Sequence, residues 1–155
     1  MEDIFNQPTE MVHIRDVSRQ QREIQRAAQL LKAGELVAFP TETVYGIGAL
    51  GLNAEAVERL YAAKNRPAGK AFSLQVANVN MIQQIAAYVP LMARKLLEKF
   101  APGPITVVLP KAAQVPELVT GGRDTVGIRI PDNPVALAVL QAVGAPLAVP
   151  SANIS

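Results

Sequence analysis

The sequence predicts a single α/β domain, a twisted and mostly mixed or parallel sheet flanked by helices. Segments with helical spacing of apolar residues alternate along the chain with short apolar or β-branched segments, and this alternation is typical of a sheet covered by helices. The 155 residues are 50% hydrophobic and 18% charged. Such a chain fits one globular domain that buries roughly 70% of its unfolded surface.

Helices are predicted where apolar residues recur every three or four positions between capping residues. Ser18 and Asn53 are expected N-caps, and Gly34 and Gly144 are expected to end the helices before them. Pro90 suits the first position of a helix, where no N–H donor is needed. The predicted helices cover residues 19–32, 54–64, 78–86, 91–100 and 134–143.

Strands are predicted in short apolar segments bounded by proline or glycine. Pro40 ends the first of them, because proline cannot donate to a strand ladder. Arg129 lies inside a predicted strand, and a buried charge is costly unless it is paired or faces a ligand cavity, so we expect Arg129 to point into a site or to lie at a strand end. Residues 115–119 are ambiguous. The predicted strands cover residues 36–39, 72–76, 105–109, 126–130 and 147–149, with a further edge strand near 11–14 in the leader, residues 1–18.

Composition excludes several classes of protein. There is no cysteine, which excludes disulfides, thiolate catalysis and cysteine-bound zinc, and one histidine, His13, cannot form a metal cluster. No apolar stretch reaches the roughly 18 residues of a membrane span, and the first residues lack a secretion signal. We therefore expect a cytoplasmic protein without membrane contact. The net charge of +2 is too small to indicate a nucleic-acid binder by charge alone.

The segment after the first predicted strand contains several residues suited to a ligand-binding site. Pro40 is followed by Thr-Glu-Thr-Val-Tyr-Gly-Ile-Gly, in which two hydroxyls and a carboxylate precede glycines that allow a sharp turn or a close approach to a ligand. Lys64 and Arg66 follow one helix later. This combination indicates a site for an anionic ligand. The alternative is that the threonines are ordinary turn residues and the two cations an ordinary helix end.

Further motifs follow in a fixed order along the same chain. They are Pro102-Gly103-Pro104-x-Thr106, Gly127-Ile128-Arg129 and Ser151-x-Asn153. Together with the threonine-rich turn and Lys64-x-Arg66, that order closely resembles the YrdC-like family of threonylcarbamoyl-AMP synthases, from about Arg19 to Ser155.

The resemblance implies an activity and its substrates. Residues 19–155 would form a YrdC-like domain with a basic concave cavity, which combines L-threonine, bicarbonate and ATP into threonylcarbamoyl-AMP and pyrophosphate with Mg²⁺. The product would serve the threonylcarbamoyl modification of tRNA, with partner proteins that receive it. A second hypothesis is an RNA-binding module that uses the same cavity without turnover. A third, a carbamoyl-transfer domain of hydrogenase maturation, is disfavoured because such domains occur in larger chains with zinc-finger-like cysteines.

The resemblance also implies roles for individual side chains. Those expected to hold L-threonine are Thr43, Gln75, Arg129 and Ser151. Those expected to hold ATP are Arg66, Lys70, Thr125 and Asn153. Those expected to act on the phosphates during catalysis are Lys64 and Arg66. Those expected to line the cavity are Thr41, Tyr45 and Thr106. No residue is expected to bind a metal ion directly.

The chain departs from the family pattern at several positions. Gln75 stands where members often have histidine, and Lys70 where they have a small polar residue. After Ser151-Ala152-Asn153 the family continues with segments resembling Gly-Ile-Glu-Ser-Thr-Val and Arg-Pro-Gly-Ala-Ile. We therefore expect a domain that is incomplete at its C-terminus, with marginal stability and little activity by itself.

Overall fold

A computed structural model describes residues 8–154, which form a six-stranded mixed sheet flanked by helices, as the sequence predicts. The strand order is β1-β2-β6-β3-β5-β4. Strands β3 and β5 pair in parallel, and the other neighbouring strands pair in antiparallel fashion. The strands are β1 (Val37–Phe39), β2 (Gly46–Leu50), β3 (Leu74–Gln75), β4 (Val107–Pro110), β5 (Thr125–Arg129) and β6 (Leu147–Ala148).

Residues 8–154 contain five α-helices, one before β1 and four between later strands, and local sequence explains most of their ends. The Asn53 side chain accepts hydrogen bonds from the Glu55 and Ala56 N–H groups, so the predicted N-cap is confirmed. Gly144 ends the last helix in the left-handed conformation, as predicted. The helices are α1 (Gln21–Lys32), α2 (Ala54–Lys64), α3 (Leu91–Phe100), α4 (Glu117–Thr120) and α5 (Pro134–Val143), with a 3₁₀ helix at Val79–Gln84 where an α-helix was predicted.

Strand β2 was not predicted, because its two glycines were interpreted as turn residues. Gly46 and Gly48 instead permit close packing within the sheet. A Cβ at Gly46 would lie 2.4 Å from Val149 Cγ1, and one at Gly48 would lie 2.8 Å from the Phe39 ring. The glycines therefore allow β2 to fit between β1 and β6.

The leader differs from the prediction in two respects. Ser18 does not cap α1, because its main-chain N–H and its hydroxyl both donate to the Asp16 carboxylate, and Gln20 takes the N-cap position without a side-chain cap bond. Residues 8–14 form no strand. The predicted strand near 11–14 is therefore wrong. The first seven residues of the leader lie outside the described residues.

Two apolar cores pack on opposite faces of the sheet. One contains side chains of α2 and α3 together with Leu74 and Ile128. The other contains side chains of α1 and α5 together with Phe39 and Leu147. Because side chains alternate along a strand, residues next to Leu74 and Ile128 project on the face of α1 and α5.

None of the described helices is both long enough and apolar enough to span a membrane.

Candidate functional site

The predicted site residues of the sheet share one face. Gly127 has a neighbour on each side, since a Cβ there would lie 2.9 Å from Ser73 Oγ and 3.1 Å from Thr106 Cγ2. Thr106, Val108 and Thr125 are exposed, so this part of the face is open to solvent. By strand alternation and register, the side chains that share this face are Ser73, Gln75, Thr106, Val108, Thr125 and Arg129.

The parallel pairing of β3 and β5 places Gln75 beside Arg129. The two are register partners at the ends of their strands. Gln75 is 4% exposed, and its Oε1 is buried with no hydrogen-bond partner in the described structure; Arg129 Nε is likewise buried and unpartnered. Buried polar atoms are nearly always hydrogen-bonded to protein, water or a ligand, so this strand end is a candidate place for a polar group to bind.

Arg129 is paired with a residue to which the sequence assigned no role. Its Nη2 donates to Glu42 Oε1 and, at 3.1 Å, to the hydroxyl of Thr43. The Arg129 and Glu42 side chains are 17% and 18% exposed. Burial lowers the pKa of Arg129, but an arginine so far above neutrality stays charged. Arg129 is the last residue of β5, so it lies at a strand end, which is one of the two places expected for it.

The turn that presents Glu42 is held by its own threonine. Thr41 Oγ1 donates to the carbonyl of Val44 at 2.6 Å and accepts from the N–H groups of Thr43 and Val44. Its hydroxyl also lies 3.1 Å from that of Thr43. Thr41 therefore shapes the turn, while Thr43 reaches Arg129.

Lys64 connects helix α2 to the last described segment. It is 3% exposed, and its ammonium donates to the main-chain carbonyls of Ser151, at 2.6 Å, and Asn153. The same segment runs beside β2, because Ile47 N–H donates to the carbonyl of Pro150. Lys64 thus fixes the backbone that carries the Ser151 and Asn153 side chains, both of which are exposed.

Lys64 also lies within a cluster of positive charge. Burial, and then the charges of Arg66 and Lys70, lower the pKa of Lys64 below its usual value. The guanidinium of Arg66 donates to the carbonyls of Lys70 and Ala71 and lies 4.6 Å from the centre of the Phe72 ring. The structure therefore brings the three predicted cations together, and the 66–71 loop is shaped by one of them.

Two predicted residues lie apart from this arrangement. Thr125 begins β5, about 13 Å from Arg129 along the strand at about 3.3 Å per residue. Tyr45 is 63% exposed and lines a different cavity, of about 270 Å³, between the leader, α1 and β1. That cavity contains none of the other predicted site residues.

Comparison with known proteins identifies the family. A family model for Sua5, YciO and YrdC proteins, described as "Telomere recombination", matches residues 29–155. The chain belongs to this family. It is 46% identical over 132 residues to the threonylcarbamoyl-AMP synthase of Pyrococcus abyssi, covering 85% of this chain and 39% of that protein. It is 42% identical over 141 residues to the Bacillus subtilis enzyme of the same name, covering 90% of this chain and 41% of that enzyme.

The family structures share the fold described above. The crystal structure of P. abyssi Sua5 complexed with L-threonine matches with a TM-score of 0.86 and 44% identity, over 88% of this chain and 40% of that one. The chain therefore spans about 40% of the length of these relatives.

Sequence reasoning missed Ser73, and it included Glu42 only as the carboxylate of the threonine-rich turn, without a role of its own. Glu42 stands between two threonines that were both assigned to the cavity, and that position was the available signal. Ser73 precedes Gln75 by two residues and so shares its face of the strand. No local pattern indicated that Glu42 would contact a residue 87 positions later.

Proposed function

We propose that this chain contributes the substrate site of a threonylcarbamoyl-AMP synthase, which makes threonylcarbamoyl-AMP and pyrophosphate from L-threonine, bicarbonate and ATP. The observation that carries the proposal is the pair of buried atoms without a partner in the described structure, Gln75 Oε1 and Arg129 Nε, at the paired ends of β3 and β5. The names of the family relatives and the threonine complex of P. abyssi Sua5 support the choice of substrate.

The threonine subsite would lie at the paired ends of β3 and β5. A guanidinium suits a carboxylate because it can donate two parallel hydrogen bonds. Gln75 Oε1 can accept from the amine or the hydroxyl of threonine, and Thr43 lies within reach of the same guanidinium. Ser151 would complete the subsite from the segment that Lys64 fixes in place.

The ATP subsite would use the cationic cluster next to this segment. Arg66 and Lys70 would bind the phosphates, while Thr125 and Asn153 would make polar contacts to the nucleotide. Lys64 would act near the phosphates as well, both through its charge and by holding the 151–153 backbone. Burial, and after it the nearby charges of Arg66 and Lys70, lowers the pKa of Lys64, and this proximity of the three cations supports the placement.

The reaction itself needs positioning more than a protein nucleophile. The amine of threonine and bicarbonate give a carbamate and water, and a carbamate oxygen then attacks the α-phosphorus of ATP. The bond from that phosphorus to the bridging oxygen breaks, and pyrophosphate leaves. Since carbamate and triphosphate are both anions, cations must bring them together and stabilise the charge on the leaving group.

Magnesium would enter with the nucleotide. Among residues 8–154, no three histidine, cysteine, aspartate or glutamate side chains form a group able to hold a metal ion. Mg²⁺ at nucleotide sites is usually held by one or two carboxylates together with the substrate phosphates, and we assign the ion to ATP as part of the substrate. A cytoplasmic location and delivery of the product to tRNA-modification proteins would follow from the activity.

Pyrophosphate release tests the proposal. The full-length protein should release pyrophosphate from ATP only when L-threonine and bicarbonate are both present, and labelled bicarbonate should appear in a nucleotide product. An RNA-binding module that uses the same cavity would bind RNA without either signal. Pyrophosphate release that is independent of threonine would contradict the proposed activity.

A further inference from the structure

We propose that Glu42 determines substrate specificity: the Glu42–Arg129 ion pair selects zwitterionic α-amino acids over simple carboxylates. The ligand carboxylate would take the place of Glu42 on the guanidinium, and the ligand ammonium would pair with the displaced Glu42. This inference rests on the proposed function, since it names the class of molecule that enters the threonine subsite.

The hydrogens of the Arg129 guanidinium limit how a ligand carboxylate can bind to it. A carboxylate can bind a guanidinium through two parallel bonds either at its end, using Nη1 and Nη2, or at its side, using Nε and Nη2. Both modes need a hydrogen of Nη2. In this structure Nη2 already donates to Glu42 and to Thr43. A ligand carboxylate that binds in either mode must therefore displace one of these two partners.

The proposed exchange is with Glu42 rather than with Thr43. Glu42 is itself a carboxylate, so the exchange replaces one anion by another on the same cation. Its other oxygen accepts a hydrogen bond from the main-chain N–H of Asp132. Because Asp132 would keep hold of Glu42, the displaced carboxylate would stay within the site.

The exchange leaves the negative charge of Glu42 without its cationic partner. Both side chains are more than four-fifths shielded from solvent. Once a simple carboxylate occupies Arg129, Glu42 would be a poorly solvated anion beside a second anion, which is unfavourable. A zwitterion avoids this result, because its ammonium lies next to its own carboxylate and can pair with Glu42. The site is thereby complementary to both charges of an amino acid.

The turn that carries Glu42 is held in place by Thr41. Thr41 makes three hydrogen bonds to the main chain of residues 43 and 44, which fixes the base of the Glu42 side chain. Glu42 therefore cannot move far from the ligand. The unpartnered Oε1 of Gln75 offers a second acceptor beside the same guanidinium, suited to the hydroxyl of threonine.

Calorimetric titration of the full-length protein with three ligands tests the proposal. The ligands are L-threonine, 3-hydroxybutanoate, which lacks the amine, and 1-aminopropan-2-ol, which lacks the carboxylate. We expect the dissociation constant of the wild type for L-threonine to be at least about 100-fold lower than that for each analogue. A wild type that binds 3-hydroxybutanoate as tightly as L-threonine would overturn the proposal without any variant.

The variant Glu42→Gln gives an opposite shift for two ligands. Without the competing carboxylate, 3-hydroxybutanoate should bind about tenfold more tightly, while L-threonine should bind more weakly because its ammonium loses a partner. A structural role alone would weaken both ligands together, and that result would overturn the proposal. The control Glu35→Gln, in the exposed ion pair with Arg59, should change neither affinity.

The same titration separates this inference from the function on which it rests. If the wild type binds none of the three ligands, the threonine subsite is wrong and the inference fails with it. If the wild type prefers L-threonine but Glu42→Gln shifts both ligands in the same direction, the proposed function stands and the role of Glu42 is wrong.

Discussion

The buried ammonium of Lys64 lies 2.6 Å from the main-chain carbonyl oxygen of Ser151, a residue 87 positions later in the chain. A second carbonyl, that of Asn153, accepts from the same ammonium. Removing this ammonium would leave both carbonyls without their donor and would release the backbone that carries two expected substrate ligands.

We therefore expect Lys64→Met to lower the free energy of unfolding by about 2 kcal/mol, because a buried acceptor left without its donor costs about 1–3 kcal/mol. Urea denaturation measures this change. The exposed Lys32→Met is the matched control and should change stability by less than about 0.5 kcal/mol. Equal stability of the two variants would mean that the Lys64 contacts contribute nothing.

The pH dependence of stability offers a second test of the Lys64 environment. The pKa of Lys64 is lowered, first by burial and then by Arg66 and Lys70, so the folded state loses this proton at a lower pH than the unfolded state. Between the lowered value and the ordinary 10.5, the unfolded state binds more protons, and the unfolding free energy rises with pH. The stability difference between the wild type and Lys64→Met should therefore grow as the pH is raised within that window.

Melting curves at pH 8, 9 and 10 on both proteins would measure this difference. Higher pH is best avoided, because Tyr61 also titrates, with a pKa that burial raises above 10.0. A difference that stays constant, or falls, would contradict the assignment of a penalised charge to Lys64.

Two neighbouring glycines give a sharp test of backbone packing beside the cationic loop. Gly121 and Gly122 both have positive φ, but only at Gly121 would a Cβ meet another residue, the carbonyl oxygen of Gly69 at 2.3 Å. We expect Gly122→Ala to cost about 1 kcal/mol from backbone conformation alone. Gly121→Ala should cost at least about 3 kcal/mol, because a backbone clash is added. Thermal unfolding of both variants measures the contrast, and equal losses would show that the two loops do not touch.

Much of this fold could be predicted from local patterns. Asn53 was identified as a cap because its side chain acts on N–H groups two and three residues away. Arg129 was expected to point into a site or to lie at a strand end because of its charge, and it lies at the end of β5. Strand β2 was missed because Gly46 and Gly48 fit their places only through contacts with Val149 and Phe39, which no local spacing shows.

The site was less predictable for the same reason. Glu42 contacts Arg129 across 87 positions, and Lys64 contacts carbonyl groups rather than side chains. The residue types along a chain indicate which side-chain chemistry it can perform. Main-chain carbonyl groups are present at every residue, so the sequence does not show which of them accept a hydrogen bond from a side chain. The substrate roles of Thr43, Gln75, Ser151 and the nucleotide ligands remain predictions.

Arg66 provides a test of the nucleotide subsite. Arg66 belongs to the cationic cluster and shapes the 66–71 loop through two carbonyl groups, so Arg66→Ala should remove a phosphate contact and loosen the loop. We expect affinity for a non-hydrolysable ATP analogue to fall at least about tenfold, as a lost charge-assisted bond would give. Calorimetric titration of the full-length protein measures it. Lys99→Ala, on the exposed face of α3, is the control, and equal affinities in both variants would remove Arg66 from the site.

Arg129→Lys tests the threonine subsite while keeping the positive charge opposite Glu42. Lysine lacks the planar arrangement of donors, so it cannot offer a carboxylate two parallel bonds. We expect the KM for L-threonine to rise at least about tenfold, corresponding to about 1.4 kcal/mol, while the KM for ATP changes less than about twofold. Pyrophosphate release measured against each substrate gives both values, with Arg59→Lys, in the exposed pair with Glu35, as the control. Should the KM for ATP rise more than that for L-threonine, Arg129 belongs to the nucleotide subsite and the two substrates must be exchanged in the proposed arrangement.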